Sequence, residues 1–99
     1  MQIYKVETDL ETTSGTGSTN TLNIIGGMAE QIYILVAVTN TTFQAKIIDD
    51  KSRTVREYDY VKDYINDEVP LIMQGIYTVQ ILNCSSDQTF NVLFMIRES

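Results

Sequence analysis

Apolar and polar residues alternate along most of this chain with a repeat of two, the mark of strands with one covered face. The clearest stretch is Gly75-Ile76-Tyr77-Thr78-Val79-Gln80-Ile81, answered after an Asn/Ser/Asp turn by Phe90-Asn91-Val92-Leu93-Phe94-Met95-Ile96. The pair predicts a closing hairpin with Tyr77, Val79, Ile81, Phe90, Val92, Phe94 and Ile96 in the core. Ile3 to Leu10 predicts a first strand with Tyr4, Val6 and Leu10 inward and Lys5, Glu7 and Asp9 in water. Leu22 to Ile25 predicts a short strand ended by Gly26-Gly27, and Leu71 to Met73 another before Gln74-Gly75. Phe43, Ala45 and Ile47 alternate with Gln44 and Lys46, then Asp49-Asp50-Lys51-Ser52 turns the chain. Thr54 to Tyr58 returns as a polar strand of the kind found at sheet edges.

One segment breaks the alternation by being apolar on both registers. In Gln31 to Thr39, Ile32, Ile34, Val36 and Val38 share one side, and Tyr33, Leu35 and Ala37 share the other. The outer register of the last strand repeats this with Leu93 and Met95. If the two strands are neighbours, Tyr33, Leu35, Ala37, Leu93 and Met95 form an apolar patch outside the core, a candidate interface. The segment 59–69 could cover that patch from within, through Val61, Tyr64 and Ile65.

Two stretches carry no strand pattern. Residues 11–21 are Ser, Thr and Gly rich and predict a flexible loop without a core anchor. Over 59–69, Val61, Tyr64 and Ile65 fall at spacings of three and four and Asp59 could cap a start, so this crossover is a short helix or an irregular loop ended by Pro70. The expectation for residues 1–99 is one all-β domain: a small antiparallel β-sandwich, immunoglobulin-like or jelly-roll-like, of seven to eight short strands with at most one short helix. A small barrel is the competing architecture. The cysteine–tryptophan–cysteine pattern of immunoglobulin domains is missing, since the chain has one cysteine and no tryptophan.

Composition narrows the function classes. At 99 residues the chain can build one modest core and hardly a deep catalytic cleft as well. Thirteen acids against seven bases give a net charge of −6, unfavourable for a nucleic-acid surface. Lys46, Lys51, Arg53, Arg56 and Lys62 cluster in sequence, but Asp49, Asp50, Glu57, Asp59 and Asp63 are interleaved with them. No apolar run approaches the length of a membrane helix. The N-terminus reads as no signal peptide, which makes cytoplasmic synthesis the expectation, with or without later incorporation in a virion or other assembly. Asn40-Thr41-Thr42 and Asn83-Cys84-Ser85 match glycosylation acceptors but read better as turns.

Candidate chemistry is thin. With no histidine there is no serine–histidine pair and no zinc site of cysteine and histidine. Cys84 has no basic neighbour in sequence to activate it. The acid clusters Glu7/Asp9/Glu11, Asp49-Asp50 and Asp63/Asp67/Glu68 read as turn and surface residues; oxygen ligands for calcium could come from Asp49 and Asp50 or from Asp63, Asn66, Asp67 and Glu68, the second group offering a weak site, though neither has the spacing of a helix–loop–helix calcium loop. Six tyrosines remain, and Tyr58, Tyr60 and Tyr64 form a candidate platform for carbohydrate or peptide. The expected function is therefore a non-enzymatic structural or assembly module without cofactor or catalytic residues, attaching to itself or to a larger assembly such as a virus particle. The alternative is a carbohydrate- or peptide-binding β-sandwich.

Overall fold

The computed structural model describes residues 2–98. They form strands β1 (Ile3–Glu11), β2 (Gly17–Ser18), β3 (Leu22–Val36), β4 (Thr42–Asp49), β5 (Thr54–Lys62), β6 (Tyr64–Asp67), β7 (Leu71–Leu82) and β8 (Thr89–Arg97), with no helix among the described residues. All pairing is antiparallel, in one open sheet ordered β1-β8-β3-β7-β4-β5, with β2 added to β7 and β6 to β3. The protein is all-β and sandwich-like, as the alternation predicts.

β3 makes the sandwich. Its first half, Leu22 to Ala29, pairs with β7, while its second half, Met28 to Val36, pairs with β8. On the edge away from β8, Ile32 to Leu35 takes β6. The strand changes layers at a bulge between Ile24 and Gly27, where Gly26 and Gly27 have φ of 144° and 152°. Those angles strain any residue with a Cβ, and a Cβ on Gly27 would lie 2.3 Å from the Arg97 carbonyl oxygen. One layer thus holds β1, β8, the second half of β3 and β6. The other holds β5, β4, β7, the first half of β3 and β2. Phe43 of β4 and Phe90 of β8 meet between the layers, edge to face, with ring centroids 5.0 Å apart. The shortest molecular dimension, 19 Å, suits two sheets stacked about 10 Å apart.

The inward registers are those that the sequence predicts, with Met73 added to them. Met73, Tyr77, Val79 and Ile81 of β7 and Phe90, Val92, Phe94 and Ile96 of β8 are buried, with Ile32 and Ile34 of β3 and Phe43, Ala45 and Ile47 of β4. Each large side chain so buried contributes roughly 1.5–3 kcal/mol. β5 is an edge strand, as its charges predict.

Four expectations are corrected. The closing hairpin does not form: β3 lies between β7 and β8, and the 83–88 connector crosses from one layer to the other. Period-two alternation shows which way side chains point but not which strand lies alongside. The piece 22–25 and the first part of 31–39, to Val36, belong to one bent strand, as do 71–73 and 75–81, because a glycine bulge bends pairing without ending it, and 37–39 lie in the bend that follows. The 59–69 crossover is strand, not helix. Tyr60 and Asp63 have φ of 44° and 68°, which no α-helix contains, and the edge of β3 recruits β6 through Ile34–Ile65 pairing. Finally, the 11–21 segment has anchors. Thr12 and Thr19 are buried, the Thr19 N–H donates to the Val79 carbonyl while its hydroxyl accepts the Val79 N–H, and Asp87 accepts hydrogen bonds from the Ser14 and Gly15 N–H groups, both at 2.9 Å.

Candidate functional site

The doubly apolar segment and the last strand are neighbours. Tyr33 pairs with Leu93, Gln31 with Met95 and Leu35 with Asn91 across β3 and β8. On the far edge of β3, Tyr33 pairs with Asn66 and Leu35 with Tyr64 of β6. On the far edge of β8, Lys5, Glu7 and Asp9 of β1 pair with Met95, Leu93 and Asn91. The outer face of this layer is therefore built in rows: Lys5–Met95–Gln31, then Glu7–Leu93–Tyr33–Asn66, then Asp9–Asn91–Leu35–Tyr64.

Its centre is apolar and its rim polar, the arrangement of contact patches. Asn91 donates to Asp9 at 2.9 Å and Gln31 donates to Glu68 at 3.3 Å, so part of the rim is held in place. Leu35 is 44% exposed and Tyr64 59%, whereas Tyr33, Leu93 and Met95 are half-buried. Covering the patch would bury the remainder of each side chain and contribute less than the full ~1.5–3 kcal/mol apiece. Ala37 lies beyond the end of β3, exposed in the bend before β4, and stands outside these rows.

The crossover does not cover the patch. Ile65 points into the core opposite Ile34, Val61 packs against the core, and Tyr64 adds a ring to the outer face.

The three clustered tyrosines separate. Tyr60 and Tyr64 are exposed. Tyr58 packs against the core and donates its hydroxyl to Asp67 at 2.5 Å. Arg56 donates to the same Asp67 oxygen at 2.7 Å, and the other oxygen accepts the Val69 N–H at 2.9 Å. Burial and the hydrogen bond to Asp67 push the Tyr58 hydroxyl well above its ordinary value of 10.0. Burial acts to raise Asp67 as well, but the bonds from Tyr58, Val69 and Arg56 outweigh it and hold the carboxylate below 3.8. Neither group changes protonation near neutral pH. The trio locks β5 to β6 and to the turn at Pro70.

The remaining charged groups serve turns and surface pairs. Asp49 accepts from the Lys51 and Arg53 N–H groups and pairs with the Arg53 guanidinium at 2.8 Å. Lys46 pairs with Glu57 at 3.5 Å, and Arg97 pairs with Glu30. Asp63 accepts the Thr41 N–H at 2.8 Å. Among the described residues no three histidine, cysteine or carboxylate side chains converge on a metal position. Cys84 donates to the Ser86 carbonyl at 3.0 Å. Asn40 and Asn83, the two glycosylation-like positions, both sit at positive φ in turns.

A second apolar area lies outside every residue set that the sequence predicts. At the β3 bulge, Ile25, Met28 and Ile72 line an open hollow of about 530 Å³, with Ile25 76% and Ile72 78% exposed. The signal was present, since Ile72 and Ile76 share the outer register with Gln74, Thr78 and Gln80. Read as a separate strand, 71–73 does not share a register with 75–81, and the pattern breaks between Ile72 and Ile76.

No protein-family model matches this chain, and no curated protein matches it in sequence.

Proposed function

We propose that this protein is a non-enzymatic assembly module that attaches through the outer face of the β1-β8-β3-β6 layer, to itself or to a larger assembly such as a virus particle. The observation that carries the reading is the direct Tyr33–Leu93 pair, with Met95, Leu35 and Tyr64 around it and a polar rim outside. An acidic surface with most of its bases paired, and a Tyr58–Asp67–Arg56 cluster that serves packing, fit a scaffold better than a catalyst.

The test is sedimentation of the wild-type chain and the Leu35→Ser/Leu93→Ser variant at micromolar concentration, with circular dichroism as the folding control. The wild-type chain forms a species that the double variant loses while staying folded. Identical sedimentation of the two proteins overturns self-association through this face. Carbohydrate binding at Tyr60 and Tyr64 is the weaker alternative, because the third ring, Tyr58, is packed and hydrogen-bonded.

A further inference from the structure

β1 is an edge strand: among the described residues no strand pairs with its outer side, and β2 approaches it only at the Glu11 end, where a Cβ on Gly17 would lie 2.4 Å from the Glu11 carbonyl oxygen. It pairs with β8 in unbroken register from Ile3–Arg97 to Glu11–Thr89, without bulge or proline. The edge strand of the opposite layer, β5, is different: its pairing with β4 shifts register twice and it carries Arg56, Glu57 and Lys62. Irregularity and charge of that kind discourage further pairing, and β1 lacks the irregularity.

The direction of its backbone groups follows from its ends. The Gln2 carbonyl accepts from Glu98 N–H, and Thr12 N–H donates to the Gln88 carbonyl. Even-numbered residues therefore turn their N–H and C=O groups toward β8. Ile3, Lys5, Glu7 and Asp9 turn theirs outward, where no strand pairs with them among the described residues. On the inward side Tyr4 and Val6 are only half-buried at the rim of the core, and the Tyr4 hydroxyl has no partner among the described residues.

The geometry points to β1 as the docking edge for β1 of a second copy of this chain, antiparallel, with Val6 opposite its own counterpart on the two-fold axis. In that register the outward-turned residues meet as Lys5–Glu7 and Ile3–Asp9 pairs, each occurring twice by symmetry. Val6 meets Val6 and Tyr4 meets Thr8, which extends the core across the axis. Moving the register by one allowed step in either direction sets Glu7 against Glu7 or Lys5 against Lys5. Like charges directly opposite are destabilising, so charge selects the Val6-centred arrangement. Every outward N–H and C=O of Ile3, Lys5, Glu7 and Asp9 gains a partner in it. The result is one continuous layer through both copies, with the two Tyr33–Leu93 faces on the same side. The inference is independent of what covers those faces.

Sedimentation equilibrium tests it. The wild-type chain dimerises at about 100 μM. Lys5→Glu faces Glu7 of the other copy with a like charge and weakens dimerisation about tenfold or more. Lys5→Glu/Glu7→Lys recreates the opposite pair and restores the wild-type constant to within about threefold. Lys51→Glu, an equal change in net charge in the β4–β5 turn, leaves dimerisation unchanged. Lys5, Glu7 and Lys51 are all exposed, so folding is preserved and circular dichroism verifies it. A wild-type chain that remains monomeric overturns the inference, as does a dimer indifferent to Lys5→Glu or one that the double swap fails to restore. Leu35→Ser/Leu93→Ser leaves the edge dimer intact, so loss of the outer-face contact and loss of the edge contact are read separately.

Discussion

Tyr33 and Leu93 stand directly opposite each other on β3 and β8, on the side of the sheet turned away from the core. Their immediate chain neighbours, Ile32, Ile34, Val92 and Phe94, are fully buried on the other side. The layer is thus apolar on both faces, though one face has no second sheet above it. The crossover that could have served as a cover instead extends the layer with β6, which widens the apolar face by Tyr64.

This asymmetry predicts opposite results at adjacent positions. Leu35→Ser changes folding stability by less than about 1 kcal/mol, since the side chain lies outside the core. Ile34→Ala, at a fully buried position, costs about 2–5 kcal/mol. Urea unfolding of the two variants checks the contrast.

The bend in β3 depends on backbone space. Gly27→Ala combines a strained φ of 152° with a carbonyl oxygen 2.3 Å from the new methyl group, so it destabilises by about 2–4 kcal/mol. Gly75→Ala, at φ 106° with nothing within 4 Å, meets backbone strain alone and loses about 1–2 kcal/mol. Equal losses at the two positions would show that the close approach to Arg97 does not matter.

The Asp67 cluster sets two pH limits. Asp67 is held below its ordinary 3.8, so its stabilisation is complete above that value and disappears as pH falls through the folded-state value. Tyr58 is held above 10.0, so its contribution is complete below that value and is lost as the solution becomes strongly alkaline. Asp67→Asn flattens the acid limb of the stability profile. Tyr58→Phe flattens the alkaline limb and costs about 1.5–3 kcal/mol at neutral pH, the scale of a hydrogen bond to a charged group. Denaturant midpoints measured across pH read both effects.

Thr19 ties the Ser/Thr/Gly segment to β7. Its hydroxyl accepts the Val79 N–H at 3.0 Å in a buried position. Thr19→Val keeps the shape but leaves that N–H unpaired, for a loss of about 1–3 kcal/mol, whereas Thr19→Ser retains most of the stability. Thermal unfolding distinguishes them.

The side on which each residue lies was readable from local pattern. Tyr4, Val6 and Leu10 of β1, Tyr77, Val79 and Ile81 of β7, and Phe90, Val92, Phe94 and Ile96 of β8 all take the inward register that alternation assigns. The Tyr33–Leu35 and Leu93–Met95 registers were legible for the same reason, and the candidate face depends on them. The anchoring of Thr12 and Thr19 was not legible, because a small hydroxyl residue looks alike whether it faces solvent or a backbone group from a strand sixty residues away. Nor was the role of Tyr58, whose partner Asp67 comes from another strand.

Residue order alone determined the alternating stretches of β1, β3, β4, β5, β7 and β8 and the orientation of their side chains, because the pleat repeats every two residues and depends on nothing distant. Only the tertiary structure decided that β3 runs between β7 and β8, that β6 rather than a helix completes the layer, and that β1 is left as an unpaired edge. Those outcomes depend on backbone hydrogen bonds between segments far apart in the chain. Such bonds join groups that every residue but proline carries, so the side-chain pattern holds little record of which partner each strand takes.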